Sequence, residues 1–147
     1  MKGENVSTQQ LLGTVLAVQA NFYRVQMDEV KRNDIPLPPA PILLCTRRTR
    51  LKKIGQQVMV GDRVIVEEPD WTGGRGAISE VLPRNTELDR PAIANVNQIL
   101  LVFAVADPPL EPYQLSRFLI KAESTGVDVL LCLNKCDLIA QQEQREI

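Results

Sequence analysis

An all-β barrel followed by the opening of an α/β domain is what this sequence predicts. Two successive patterns along the chain predict it: short apolar runs bounded by turn residues up to Leu82, then long apolar runs alternating with a helical period after Pro83. The bulk composition allows this. With 147 residues, 44% of them hydrophobic, and a net charge of −1, the chain is neither collagen-like nor disordered and is long enough for two small cores. The longest apolar run, residues 99–106, is far short of the roughly 18 to 20 needed to span a bilayer, so no membrane association is expected. Glu4 and the polar Ser7-Thr8-Gln9-Gln10 that follows do not read as a secretory signal, and a cytoplasmic location is expected.

Candidate strands in the first half are residues 11–18, 22–27, 42–47, 58–66 and 76–82. The second alternates cleanly, with Tyr23, Val25 and Met27 on one face and Arg24, Gln26 and Asp28 on the other, as a half-buried strand should. Gly61-Asp62 and Gly73-Gly74 supply turns, and the prolines of residues 36–41 exclude a central strand there. Five strands in this length suggest a small closed barrel, and the OB-fold is the common barrel of this size that grips nucleic acid. The barrel is expected over residues 1–82 and a linker over 83–96.

Residues 97–106 form a near-continuous apolar run, expected as a strand buried on both faces. Asp107-Pro108-Pro109 stops it, and Pro112 suits the first turn of a helix because no amide donor is needed there. Leu115, Phe118, Leu119 and Ala122 then form one helical stripe ending near Gly126, and residues 127–133 are apolar again. Strand, helix, strand in so few residues is a βαβ unit with a parallel sheet. Residues 97–147 are expected to be the opening of an α/β domain that one such unit cannot complete.

Asn134-Lys135-Cys136-Asp137 stands directly after the second apolar strand, where open α/β sheets bind ligands. Guanine presents two adjacent donors, and one carboxylate can accept both, so Asp137 has the chemistry to read that base. Lys135 can lay its aliphatic stem along a base plane, and Asn134 can brace the loop or reach the far edge of the purine. The competing reading is a polar turn whose Asp caps the next helix. No Gly-x-x-x-x-Gly-Lys-[Ser/Thr] phosphate cradle lies in the sequence, and Asp70-Trp71-Thr72-Gly73 reads as a hairpin turn, not a switch.

Charge is uneven. Residues 45–55 hold Arg47, Arg48, Arg50, Lys52 and Lys53 and no acid, a local basic patch suited to polyanion phosphates, the competing reading being a solvated loop or an edge strand blunted by charge. Removing it should leave the fold intact. Phe22, Tyr23 and Trp71 are too few for a stacking surface, so contact with phosphates alone is expected. The three cysteines, Cys45, Cys132 and Cys136, fit a reducing compartment, and without histidine no metal site is expected in the chain.

Arg84-Asn85-Thr86-Glu87-Leu88-Asp89-Arg90-Pro91, Ala94-Asn95-Val96-Asn97-Gln98 and Leu133-Asn134-Lys135-Cys136-Asp137-Leu138 resemble the RsgA (YjeQ) family of bacterial ribosome-assembly GTPases. Residues 45–53 and Val60-Gly61-Asp62-Arg63-Val64 resemble its barrel, while Thr49 and Asn97 stand where the family often has Gly and Asp. The resemblance implies an N-terminal OB barrel, a circularly permuted GTPase domain whose guanine motif precedes its phosphate loop, and a C-terminal zinc domain. It implies GTP with Mg²⁺, a role in late maturation of the small (30S) ribosomal subunit, and 16S rRNA as partner of a monomer. It also places the catalytic residues outside this chain, which alone should hydrolyse no GTP. The rival expectation is a non-enzymatic OB-fold RNA-binding module.

Overall fold

A computed structural model describes residues 10–29 and 41–139. The chain divides into two units, Met1–Asn95 and Val96–Ile147. In the first, strands β1 (Leu11–Gln19), β2 (Phe22–Met27), β3 (Ile42–Arg47), β4 (Arg63–Asp70) and β5 (Arg75–Val81) close into a barrel in the order β1-β2-β3-β5-β4. β4 returns to β1, and every pairing is antiparallel except β3 with β5. This is the OB-fold. The prolines named at 36–40 lie outside the described residues, but Pro41 lies within them, and its carbonyl accepts the Met27 N–H at 2.9 Å.

Strand alternation builds the core. Val15, Tyr23, Val25, Met27, Leu43, Cys45, Val64, Val66 and Ile78 point inward and are almost fully buried. Desolvation there pushes the Cys45 thiol up to about 11, so it behaves as a small apolar group. A short helix absent from the sequence expectation, α1 (Thr49–Lys53), adds Leu51 to the same core. Its period is too short to register in a segment that reads as five cations.

The fourth strand starts later than the expected residue 58. Val58 and Met59 are buried, but they lie in a loop because Gly61 takes φ +87° and bends the chain before Arg63. Space at Gly61 also excludes a side chain, since a Cβ would sit 2.0 Å from the Ala94 carbonyl oxygen. The same strand runs on past Val66 through Glu67, Glu68 and Pro69, with a register irregularity between Glu67 and Asp70 that absorbs the proline.

Residues expected as a linker instead carry a hairpin, β6 (Glu87–Asp89) and β7 (Ala92–Ala94), fastened to the barrel. Asp62, with no exposed surface, is the fastening. Arg84 donates Nε to Asp62 Oδ1 at 2.7 Å and Nη2 to Oδ2 at 2.9 Å, and the Met59 N–H donates to Oδ2 at 2.8 Å. Arg84 also reaches the Gln57 carbonyl and Glu87, and these carboxylates hold its guanidinium pKa above the ordinary value. Asn95 Nδ2 donates to the Gly61 carbonyl, and the Ala94 N–H to that of Val60.

In the second unit β8 (Gln98–Ala104) and β9 (Asp128–Asn134) pair in parallel, joined through α2 (Pro112–Glu123). Pro112 opens the helix as expected, Leu115 and Leu119 are half-buried, Ala122 is buried, and Phe118 meets Phe103 edge-on at 5.7 Å between ring centres. The first strand was expected to be buried on both faces. Only one face is covered among the described residues: Leu100, Val102 and Leu130 remain more than half exposed on the other.

Removing Arg84 strands a buried carboxylate, so Arg84→Ala should lower stability by about 3 to 5 kcal/mol. Arg84→Lys, which keeps the charge but not the fork, should lie between. Urea unfolding followed at Trp71, which packs against the barrel core, measures both. At the surface, Arg63 grips Asp28 through two bonds of 2.8 and 2.5 Å and holds its carboxyl below the ordinary 3.8. That pair stabilises the fold at higher pH, and its contribution disappears as pH falls through the depressed value. Asp28→Asn should therefore flatten the acid limb of urea midpoint against pH, by less than about 1 kcal/mol for so exposed a pair.

Candidate functional site

The Asn134-Lys135-Cys136-Asp137 loop leaves the carboxyl end of β9, and bonds from Asn134, Lys135 and Cys136 fix its path. Asn134 Oδ1 accepts the Lys135 N–H at 2.8 Å, a bond that braces the loop. Lys135 adopts a left-handed conformation, φ 61° and ψ 30°, a strain of about 1 kcal/mol for a residue with a Cβ. Its ammonium donates to the Asp107 carbonyl, tying the loop after β9 to the loop after β8. The Val105 N–H meets the Asn134 carbonyl at 3.0 Å, closing the same junction.

A single 3₁₀ turn, Cys136–Leu138, follows. Its N-cap is Lys135 without a side-chain cap bond, so Asp137 lies inside the turn and does not cap it. Cys136 Sγ points back to the Leu133 carbonyl at 3.5 Å, while the Asp137 side chain is exposed. Among the described residues no hydrogen bond or ion pair engages that carboxylate. The arrangement is an acceptor pair presented on a braced loop at the ligand-binding end of a parallel sheet.

The five cations of the basic patch divide into two kinds. Arg47 Nη1 donates to the Gln56 carbonyl, and Arg50 donates Nε and Nη2 to the Ser79 carbonyl at 3.2 and 2.7 Å. Arg48 Nη2 lies 2.6 Å from Glu68, and its Nε lies 3.5 Å from Glu67, an ion pair without hydrogen-bond geometry. Lys52 and Lys53 are exposed on α1, with no such bond among the described residues. The expectation that these five charges are exposed and contribute little to the fold is therefore corrected for Arg47, Arg48 and Arg50. Sequence showed five positive charges, but carbonyl partners nine and twenty-nine residues distant leave no local signal.

Asp70 Oδ1 accepts the Gly73 N–H at 2.8 Å, so residues 70–73 make the β4–β5 hairpin turn. Among the described residues no group of three or more Cys, Asp and Glu could hold a metal ion.

Comparison with known proteins gives a consistent family. A family model described as RsgA GTPase matches residues 81–147. The small ribosomal subunit biogenesis GTPase RsgA of Trichormus variabilis is 69% identical over 96% of this chain and 42% of its own length. Among solved structures, YloQ, described as a circularly permuted GTPase, superposes with a TM-score of 0.76 at 26% identity, covering 99% of this chain and 47% of YloQ. YjeQ from Thermotoga maritima gives 0.77 at 30% identity, covering 93% of this chain and 45% of that one. The chain thus spans less than half the length of each of these proteins. With a closed five-stranded barrel, a βαβ opening and this degree of identity, the chain belongs to the RsgA (YjeQ) family and corresponds to its N-terminal part.

Proposed function

We propose that this chain supplies the RNA-docking barrel and the guanine-reading loop of a GTPase acting in late maturation of the small (30S) ribosomal subunit. The observation that carries the reading is the free Asp137 carboxylate on a loop whose other side chains hold the loop itself. One carboxylate accepts guanine's ring N–H and exocyclic amine together. Lys135, anchored at its ammonium, leaves its aliphatic stem to line the base, and Asn134 keeps the loop in place.

In this reading residues 1–82 form the barrel, 83–96 the docked connection, and 97–147 the opening of the permuted GTPase domain. The phosphate loop, the Mg²⁺ ligands and a zinc-binding domain belong to sequence outside this chain. The sequence holds no Gly-x-x-x-x-Gly-Lys-[Ser/Thr] cradle for the phosphates, where phosphoryl-transfer catalysis resides, so in this reading the chain by itself hydrolyses no GTP. Lys52 and Lys53 are its phosphate contacts to 16S rRNA. The arginines beside them act first as structural fasteners, and the whole protein works as a cytoplasmic monomer. The alternative, a non-enzymatic RNA-binding module, is favoured by no particular feature of the loop.

Asp137→Asn in the full-length protein tests the guanine reading. An amide turns one acceptor into a donor facing guanine's two donors, so GTP affinity should fall by roughly thirty- to a thousandfold. Xanthine nucleotides, which carry a carbonyl where guanine has its amine, should gain. Competition of GTP and XTP on both proteins measures this, and unchanged GTP affinity would reduce Asp137 to a turn residue.

The patch is tested by splitting it. Lys52→Ala with Lys53→Ala should leave stability within about 0.5 kcal/mol and lower the slope of log affinity for small-subunit RNA against log salt by about 2. Arg47→Ala or Arg50→Ala should instead cost about 1 to 3 kcal/mol in urea unfolding, more at Arg50, because partly buried carbonyl acceptors lose a charged donor and Ser79 is itself buried.

A further inference from the structure

The helix α2 carries two stripes, and only one of them is spent on the fold. Toward the sheet it sets Leu115, Leu119 and Ala122, with Phe118 closing on Phe103 at one side. Directly opposite, Tyr113, Arg117, Ile120 and Ser124 follow one another at intervals of four, three and four residues, and all four are exposed. Tyr113 is 77% exposed and Ile120 69%, which puts both among the three most exposed large apolar side chains of the described residues. Helices cover an α/β sheet in a single layer, so the side of α2 turned away from the sheet is the side that further helices of the domain leave open.

Positive charge runs along one edge of this outward stripe. Gln114, Arg117, Phe118 and Lys121 line an open groove there of about 350 Å³. No acid stands three or four positions from either cation, and among the described residues neither forms an ion pair. Arg117 instead holds its guanidinium carbon 6.0 Å from the centre of the Tyr113 ring, which fixes both side chains over the stripe in advance of any partner.

Intervals of four and three are the spacing of a seam between two helices, and residues 113–124 supply about 16 Å of it. An aromatic, an arginine and a branched aliphatic side chain in one exposed row suit the packed centre of a protein interface. Nucleic acid fits less well, because phosphates would pair with the two cations but give Ile120 nothing to pack on. A second copy of α2 fits less well too, since Arg117 and Lys121 would face their own like charges. We propose that the outward stripe of α2 docks an amphipathic helix of another protein, one whose apolar seam is flanked by acidic side chains that enter the groove at Arg117 and Lys121. This surface is separate from the nucleotide loop and the barrel, and the inference does not depend on the function proposed for either.

Two synthetic helices of about 21 residues, three heptads each, test it on the full-length protein by fluorescence anisotropy. Both carry Leu at the a and d positions; one has Glu at e and g, the other Lys, and like charge keeps each from pairing with itself. The Glu peptide should bind the more tightly. Ile120→Ala or Tyr113→Ala should each weaken that binding by roughly thirtyfold, the loss that marks a central anchor. Thermal unfolding should stay unmoved in both variants, because the two side chains are exposed. Arg117→Glu with Lys121→Glu should reverse the order of the two peptides. Equal affinity for both peptides, an affinity for the Glu peptide unmoved by Ile120→Ala, or no binding up to about 1 mM peptide, overturns the proposal. An affinity for small-subunit RNA that falls in the Tyr113→Ala protein overturns it in favour of RNA, and a dimer in sedimentation equilibrium that Ile120→Ala dissolves overturns it in favour of a second copy.

Discussion

The ion pair between Asp62 and Arg84 determines how this chain is organised around its barrel. A carboxylate with no exposed surface is tolerable only when its oxygens are satisfied, and here two guanidinium nitrogens and one backbone amide satisfy them. The pair does more than neutralise a charge. Asp62 also accepts the Val15 N–H on its carbonyl, and the neighbouring Gly61 N–H donates to the Val15 carbonyl, so β1, the loop before β4 and the segment after β5 meet at one point. An apolar side chain in place of Asp62 could fill the volume but would leave the Met59 amide without an acceptor. Gly61 follows from the same constraint, because the hairpin carbonyl at Ala94 occupies the space where a side chain would stand.

What the sequence revealed follows from how local each constraint is. The ends of β2 were legible because period-two alternation continues to its last residue, and β3 because its apolar run stands between the prolines and the cations. The start of β4 was not, since Val58 and Met59 look like strand and are buried like strand, yet they approach a bend set by contacts with residues 84–95. The hairpin at 87–94 was hidden for a related reason. Its strands are three residues long, too short for a pattern, and are held by Arg84 and Asn95 from either side.

Arginine shows the same limit at the level of side chains. Arg47, Arg48 and Arg50 carry the same charge as Lys52 and Lys53, but a planar fork suits carbonyl and carboxylate partners, and the fold uses it that way. Arg63 and Arg84 are likewise structural. Arg24 and Arg75, which charge counting around residues 45–55 overlooked, keep their guanidiniums outside this network. Positive charge in a sequence therefore marks candidates for polyanion contact, and only the placement of acceptors separates binding cations from fastening ones.

The Asn134–Asp137 loop was legible as a motif in context, though the bonds that brace it were not. A loop that had to be ordered by its ligand would lose binding energy to that ordering, about 0.5 to 1.5 kcal/mol for each side chain immobilised. Here Asn134 is already bonded to the Lys135 amide and Lys135 to the Asp107 carbonyl before any base arrives. The left-handed backbone at Lys135 is the strained element, and these two bonds oppose its relaxation. Under the proposed reading, the Asp137 carboxylate, which no bond among the described residues engages, is the group that would carry specificity for the base. If the loop reads a base as proposed, discrimination would come from the donors left unpaired when the wrong base enters, and the bonds within the loop would hold the free acid in position for it.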